Sequence, residues 1–299
     1  MVIGRIRKLA RAIARRLNPP RPWHKDLCDY YGVTPGEALE LGTRSSGRRP
    51  SLPASSTTHA VNDKTFEDIW ETSERETPES IHRFYKDMGA WQAFRQVVFR
   101  HQHGFGHIAK DVRPGMRICE YGAGVAPVSF WLVENLRRMS LDITIVDVPS
   151  EHLTFGAWRL RRLIEEQGTR STLAAQEVQP DGLPLEGLYD LITILEVYEH
   201  LHNPLEVTAH LCEHLSPGGL LWENYVIHDD AGGPDLEVAQ KERPEVFEYL
   251  RQKFELVSGS DALASNGGET RCWKKMTAGS PTADASPGGI DGSVPNYSP

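Results

Sequence analysis

The stretch with the clearest capacity for chemistry is Met116-Arg117-Ile118-Cys119-Glu120-Tyr121-Gly122-Ala123-Gly124-Val125-Ala126-Pro127. An apolar run leads into two closely spaced glycines, and a helix-compatible segment follows from Val128 to Leu136. Glycine permits a sharp turn and lets backbone approach a ligand closely. At the first strand-to-helix turn of a doubly wound sheet, such a loop lies at the switch point where nucleotides bind. By itself the G-x-G pattern fits a tight turn in any α/β protein or a dinucleotide site. Glu120 narrows the choice: a carboxylate two residues before Gly122 suits a cationic amino acid group and would repel a pyrophosphate. Asp147 ends a second apolar run that begins at Leu141. A carboxylate there can accept both hydroxyls of a ribose.

A third group follows in Tyr189-Asp190-Leu191-Ile192-Thr193-Ile194-Leu195-Glu196-Val197-Tyr198-Glu199-His200-Leu201. On a helix start, Glu196, Glu199 and His200 would share one face, being at i, i+3 and i+4. Two carboxylates and an imidazole so placed could shape a pocket floor, cap the helix, or hold Mg²⁺ or a transition ion. His101, His103 and His107 lie around Gly104 and Gly106. They read as a polar helix end running into a glycine turn. The four cysteines, Cys28, Cys119, Cys212 and Cys272, are isolated. They fit neither a zinc site nor a disulfide framework and suit reduced thiols in the cytoplasm.

These residues need a scaffold, and its period is visible from about residue 115. Strands are predicted at 116–121, 142–147, 173–178, 189–195, 218–226, 254–259 and 270–276, with helices between the first six. Strand–helix alternation implies an α/β fold, a doubly wound seven-stranded mainly parallel sheet covered on both faces. A hairpin of the last two strands makes one of them antiparallel. Upstream, Thr34-Pro35-Gly36-Glu37 has capping-box spacing. Thr77-Pro78 starts a long helix over 78–103 with an apolar stripe of Ile81, Phe84, Tyr85, Met88, Trp91, Phe94 and Val98. The expected organisation is a basic amphipathic helix at 1–25, a helical N-terminal or cap region at 26–110 with a linker at 43–62, a ligand-binding domain at 111–277, and a disordered tail at 278–299.

The formal net charge of -8 conceals an asymmetry. Residues 1–25 carry eight Lys/Arg and no Asp/Glu, leaving 25 basic against 41 acidic residues in the rest. The acidic body argues against a broad nucleic-acid footprint. Residues 1–17 place Ile3, Ile6, Ala10, Ile13 and Leu17 at helical spacing with arginines on other faces. Such a helix can pack on the main domain, act as a presequence, or lie weakly on an anionic membrane surface. The expected location is cytoplasmic, with peripheral contact to the inner face of the membrane.

Taken in order, the glycine loop, Asp147, the E-x-x-E-H segment and Leu215-Ser216-Pro217-Gly218-Gly219 resemble the successive motifs of class I S-adenosylmethionine-dependent methyltransferases. The resemblance covers roughly residues 115–276. Ala126 stands where that family's loop usually has a third glycine. The resemblance implies a Rossmann-like methyltransferase fold and S-adenosylmethionine as cofactor. It implies a cofactor pocket of Glu120, Tyr121, Gly122, Ala123, Gly124, Asp147, Val148 and Glu196, with Gln179 or Asp181 reading the adenine. His200, Glu199 and Tyr85 are the catalytic candidates. The E-x-x-E-H spacing is also similar to that of metal-using ubiquinone-pathway O-methyltransferases and small-RNA 2′-O-methyltransferases. The preferred reading here is no metal, with Glu196, Glu199 and His200 as the alternative ligand set. The implied reaction is methyl transfer to a small-molecule, sugar or lipid-linked acceptor, on an O, N or C atom. The alternatives are an RNA methyltransferase and a non-catalytic nucleotide-binding regulator of the same fold. Acceptor choice is expected from residues 26–110, where Tyr85 or Trp91 would approach the methyl group, and from the segment Ile227–Pro234.

Overall fold

The computed structural model describes residues 22–43, 73–74, 76–101, 104–180, 182–227, 235–261 and 269–277. The expected helix over 1–17, most of the linker, Asp181 and the tail lie outside the described residues, as does the side chain of Trp91. The central element is a seven-stranded sheet of order β3-β2-β1-β4-β5-β7-β6. Its strands are β1 (Arg117–Tyr121), β2 (Asp142–Asp147), β3 (Thr172–Glu177), β4 (Tyr189–Leu195), β5 (Leu215–Asn224), β6 (Phe254–Ser258) and β7 (Arg271–Lys275). The first five run parallel, and β7 lies antiparallel between β5 and β6. The doubly wound sheet, with its single reversed strand, is therefore as the alternation of apolar runs implies.

In chain order the helices are α1 (Lys25–Tyr31), α2 (Pro35–Thr43), α3 (Pro78–Asp87), α4 (Gly89–His101), α5 (Gly106–Ala109), α6 (Pro127–Asn135), α7 (Glu151–Gln167), α8 (Pro204–Glu213) and α9 (Glu237–Lys253). The capping box before α2 forms: Thr34 Oγ1 accepts from the Glu37 N–H at 3.3 Å, and Glu37 Oε2 accepts from the Thr34 N–H at 2.7 Å. One apolar core packs β1 and β2 residues Ile118, Ile143 and Ile145 against Leu132 of α6 and Leu160 of α7. A second packs Ile192 and Ile194 of β4 against Leu211 of α8 and Leu250 of α9. Burial on both faces explains why these strands are continuous apolar runs. At the β5–β7 pairing, Arg271 donates to both oxygens of Glu223, at 2.6 and 3.0 Å, and the Trp273 indole donates to Oε1 at 2.9 Å. These hydrogen bonds give charges sealed inside the sheet the partners they need.

Two expectations require correction. The connection from β3 to β4 holds no helix among its described residues. The helix expected over 78–103 is two: α3 ends at Asp87, and α4 begins at Gly89, whose φ of 61° is left-handed. The apolar stripe continues through the break, with Ile81, Phe84, Met88, Phe94 and Val98 all buried. The side chain of His152, in α7, donates to the Gly89 carbonyl at 3.1 Å and pins this corner to the sheet domain. Burial drives the His152 pKa down to about 4, so the ring stays neutral.

Candidate active site

The carboxyl ends of β1, β2 and β4 open into a cavity of about 580 Å³, closed on the other side by α3 and α4. Its floor is the glycine loop. The Ala123 N–H donates to the Val146 carbonyl at 3.0 Å, and the Ala126 N–H to the Ala123 carbonyl at 2.7 Å. Gly122 has φ 67°, and a Cβ there would come within 2.2 Å of Val197 Cγ2. Gly156 serves the same loop from α7, since a Cβ on it would stand 2.7 Å from the Gly124 carbonyl oxygen. Sequence reasoning missed Gly156, although a lone glycine inside an amphipathic helix can mark such a close approach. Ala126 adopts the left-handed conformation, φ 53°, at the N-cap of α6. For a non-glycine residue this costs about 1–2 kcal/mol, the consequence of alanine in the third loop position.

Asp147 is the acid at the end of β2. Its Oδ2 accepts from the Gly124 N–H and its Oδ1 from the Val148 N–H at 2.7 Å. One lone pair on each oxygen remains for a ligand. Burial raises its pKa to about 6, while the Gly124 and Val148 amides act in the opposite direction. Tyr121, Gly122, Gly124, Val148 and Glu196 line the same cavity. Glu196 has φ 58° and is clasped by Asn224 of β5: its N–H donates to Asn224 Oδ1 at 2.6 Å, and the Asn224 amide donates back to Oε1.

Other expected cofactor residues stand elsewhere. Glu120 is 4% exposed and turned toward α6, where Oε1 accepts from the Val128 N–H at 3.0 Å and Oε2 from the Ser129 N–H at 2.7 Å. It caps a helix N-terminus, where backbone donors and dipole favour a carboxylate. Its carboxylate thus meets the α6 amides and not, as expected, a cationic group in the pocket. Ala123 is buried in the core. Gln179 is exposed in a turn that its carbonyl closes with the Gly182 N–H, and the residues facing the cavity there are Val178, Pro180 and Gly182.

Glu199, His200 and Tyr85 do come together. Tyr198–His200 forms a 3-10 turn instead of an α-helix start. Tyr198 anchors it, stacked on Tyr225 with ring centroids 4.8 Å apart. His200 Nε2 lies 3.8 Å from Glu199 Oε1, and its ring meets Tyr85 of α3 edge-on at 6.1 Å. The turn removes the shared helical face on which the metal alternative rested. Among the described residues no group of three or more His, Cys, Asp or Glu could hold a metal ion. Sequence reasoning missed His82, His202, Gln92 and Gln96, all of which line the cavity. Gln96 Oε1 accepts from the Val125 N–H at 3.3 Å and ties α4 to the glycine loop. His107 lies away from the cavity, its ring 5.3 Å from that of Trp222.

A crevice at the β1/β4 switch point, a glycine loop and an acid ending β2 define a Rossmann-like site of the kind that binds nucleotides. The chain belongs to the methyltransferase domain family, whose model matches residues 91–259. It is 27% identical over 114 residues to a ubiquinone biosynthesis O-methyltransferase of Xanthomonas campestris, covering 38% of this chain and 44% of that protein. It is 29% identical over 105 residues to a protein of the same description from Pectobacterium carotovorum, covering 35% and 41%. The chain thus spans less than half the length of these relatives. Among solved structures, it is similar to a magnesium protoporphyrin IX methyltransferase of Synechocystis with bound S-adenosylmethionine, at 16% identity and TM-score 0.40, covering 68% of this chain and 93% of that one.

Proposed function

We propose that this protein is an S-adenosylmethionine-dependent methyltransferase that transfers a methyl group to a hydroxyl oxygen of a small, largely apolar acceptor, aromatic or lipid-linked. The observation that carries this reading is the continuity of one cavity. The glycine loop and Asp147 form one end, and Ile81, Phe84, Tyr85 and Met88 of the N-terminal helices form an apolar, aromatic wall at the other. That the relatives above are O-methyltransferases supports oxygen as the accepting atom.

In this reading Gly122 and Gly124 take the amino acid end of S-adenosylmethionine, and Asp147 takes the ribose hydroxyls. The free lone pairs of Asp147 suit a diol, and the loop offers backbone without side chains in the way. Bound there, the cofactor supplies a methyl group already activated on a sulfonium sulfur. The protein's part is then to align the acceptor, exclude water and receive a proton. Tyr85 and His200 form the wall nearest the turn after β4 and orient the acceptor. The test is formation of S-adenosylhomocysteine with a panel of hydroxylated aromatics, amines and short RNAs. Turnover confined to the hydroxylated aromatics is expected. Turnover confined to amines or RNA would overturn the acceptor class.

No helix among the described residues is long and apolar enough to cross a membrane. For residues 1–17, the pairing of an apolar stripe with arginines supports weak, salt-sensitive binding to anionic lipid. Co-sedimentation with anionic vesicles should favour the full chain over one starting at Trp23. Equal binding by both would remove that role.

A further inference from the structure

Four histidines line the cavity: His152 on α7, whose Nε2 is already engaged by the Gly89 carbonyl, His82 on α3, and His200 and His202 around the turn after β4. Their surroundings differ. His200 sits beside the Glu199 carboxylate and against the Tyr85 ring. His202 is half-buried in the cavity wall, and its Nε2 is shielded from solvent with no hydrogen-bond partner among the described residues. A buried nitrogen left without a partner carries the cost of its lost hydration. Such a group in a cavity wall calls for a ligand atom to complete it. A neutral imidazole with its proton on Nδ1 presents a lone pair at Nε2 and accepts a proton there.

We propose that His202 is the general base that takes the acceptor's hydroxyl proton during methyl transfer. This rests on the oxygen-acceptor reading above. In the step, the O–H proton passes to His202 Nε2 while an oxygen lone pair forms the new O–C bond. The methyl C–S bond breaks with its electron pair going to sulfur, which leaves neutral S-adenosylhomocysteine, the methyl ether and an imidazolium. Around that imidazolium stand Glu199 and His200 on its own turn and Glu79 and His82 on α3. Glu79 lies on the exposed first turn of α3. Its carboxyl is held below the ordinary range by its own backbone N–H and Thr77 first, and then by His82 and His202. Glu79 is thus an exposed carboxylate within electrostatic reach of both imidazoles. His200, engaged by Glu199 and Tyr85, is a positioning residue in this scheme.

The experiment uses the full chain with S-adenosylmethionine and catechol, whose hydroxyls stay protonated at neutral pH, as the hydroxylated aromatic probe. His202→Gln should lower kcat by about 10²–10⁴-fold, the usual contribution of a general base, with the probe's KM and S-adenosylhomocysteine affinity held within about twofold. His202→Ala should be equally slow and regain activity when free imidazole is added. A His202→Gln enzyme within about threefold of the wild-type kcat would overturn the proposal. So would loss of cofactor affinity alongside kcat, or failure of imidazole to restore His202→Ala, since either describes a structural role. A wild-type enzyme that binds S-adenosylhomocysteine but never methylates the probe would overturn the acceptor reading and the base with it. An active wild type with an unaffected His202→Gln would sink the base alone.

Discussion

Replacing Asp147 by Asn leaves the side chain's shape and removes its charge. The carboxylate already accepts from the Gly124 and Val148 N–H groups. Asn offers one oxygen and one amino group, so one of those two amides would face a donor. The ribose loses more. Two hydroxyls donating to a charged acceptor are worth about 1.5–3 kcal/mol each. Losing most of that weakens binding by about 100-fold or more. The wild-type protein should show the same dependence through pH. Its carboxyl has a raised pKa of about 6, set by burial. Affinity for S-adenosylhomocysteine should be full well above pH 6 and fall as pH drops through about 6, where protonation removes an acceptor. The sign for stability is the reverse. The folded state binds this proton more tightly than the unfolded chain does, so the group's contribution falls between about pH 4 and 6 and is level above. Calorimetric titration with S-adenosylhomocysteine at pH 5 and 7.5 reads the affinity, and thermal melting checks the fold. A folded Asp147→Asn protein with unchanged affinity, or a wild type with no weakening at pH 5, would refute the reasoning.

Gly122→Ala should fold poorly or lose cofactor affinity, because its Cβ would stand 2.2 Å from Val197 at a φ of 67°. Melting temperature and calorimetry together read this, and full affinity in a stable variant would contradict it. Methyl transfer should survive EDTA, because the turn at Tyr198–His200 does not set Glu196, Glu199 and His200 on one helical face. Activity lost to EDTA and restored by Mg²⁺ or Mn²⁺ would make those three residues ligands. Arg271→Met should lose about 3–5 kcal/mol, since it strands a buried Glu223 carboxylate. A denaturant midpoint close to wild type would contradict that.

The sheet was legible because its inner strands are buried on both faces and so appear as unbroken apolar runs between turn residues. Thr34 and Glu37 were legible because a capping box is local. What escaped was set by partners far away in sequence. The break at Met88–Gly89 leaves the apolar stripe intact, and the His152 side chain that holds it comes from 63 residues downstream. Glu120 carried the acid expected of the loop, yet the direction of its side chain followed from where α6 begins. His202 gave no periodic or spaced signal. Its place in the cavity wall exists only once the turn after β4 packs against α3.

The most direct measurement is a crystal structure of the protein with S-adenosylhomocysteine. The ribose hydroxyls are expected on the Asp147 carboxylate, the amino acid end over Gly122 and Gly124, and the sulfur facing the wall formed by Tyr85, His200 and His202. A ligand bound away from that cavity, or one whose ribose rests on another acid, would contradict that placement.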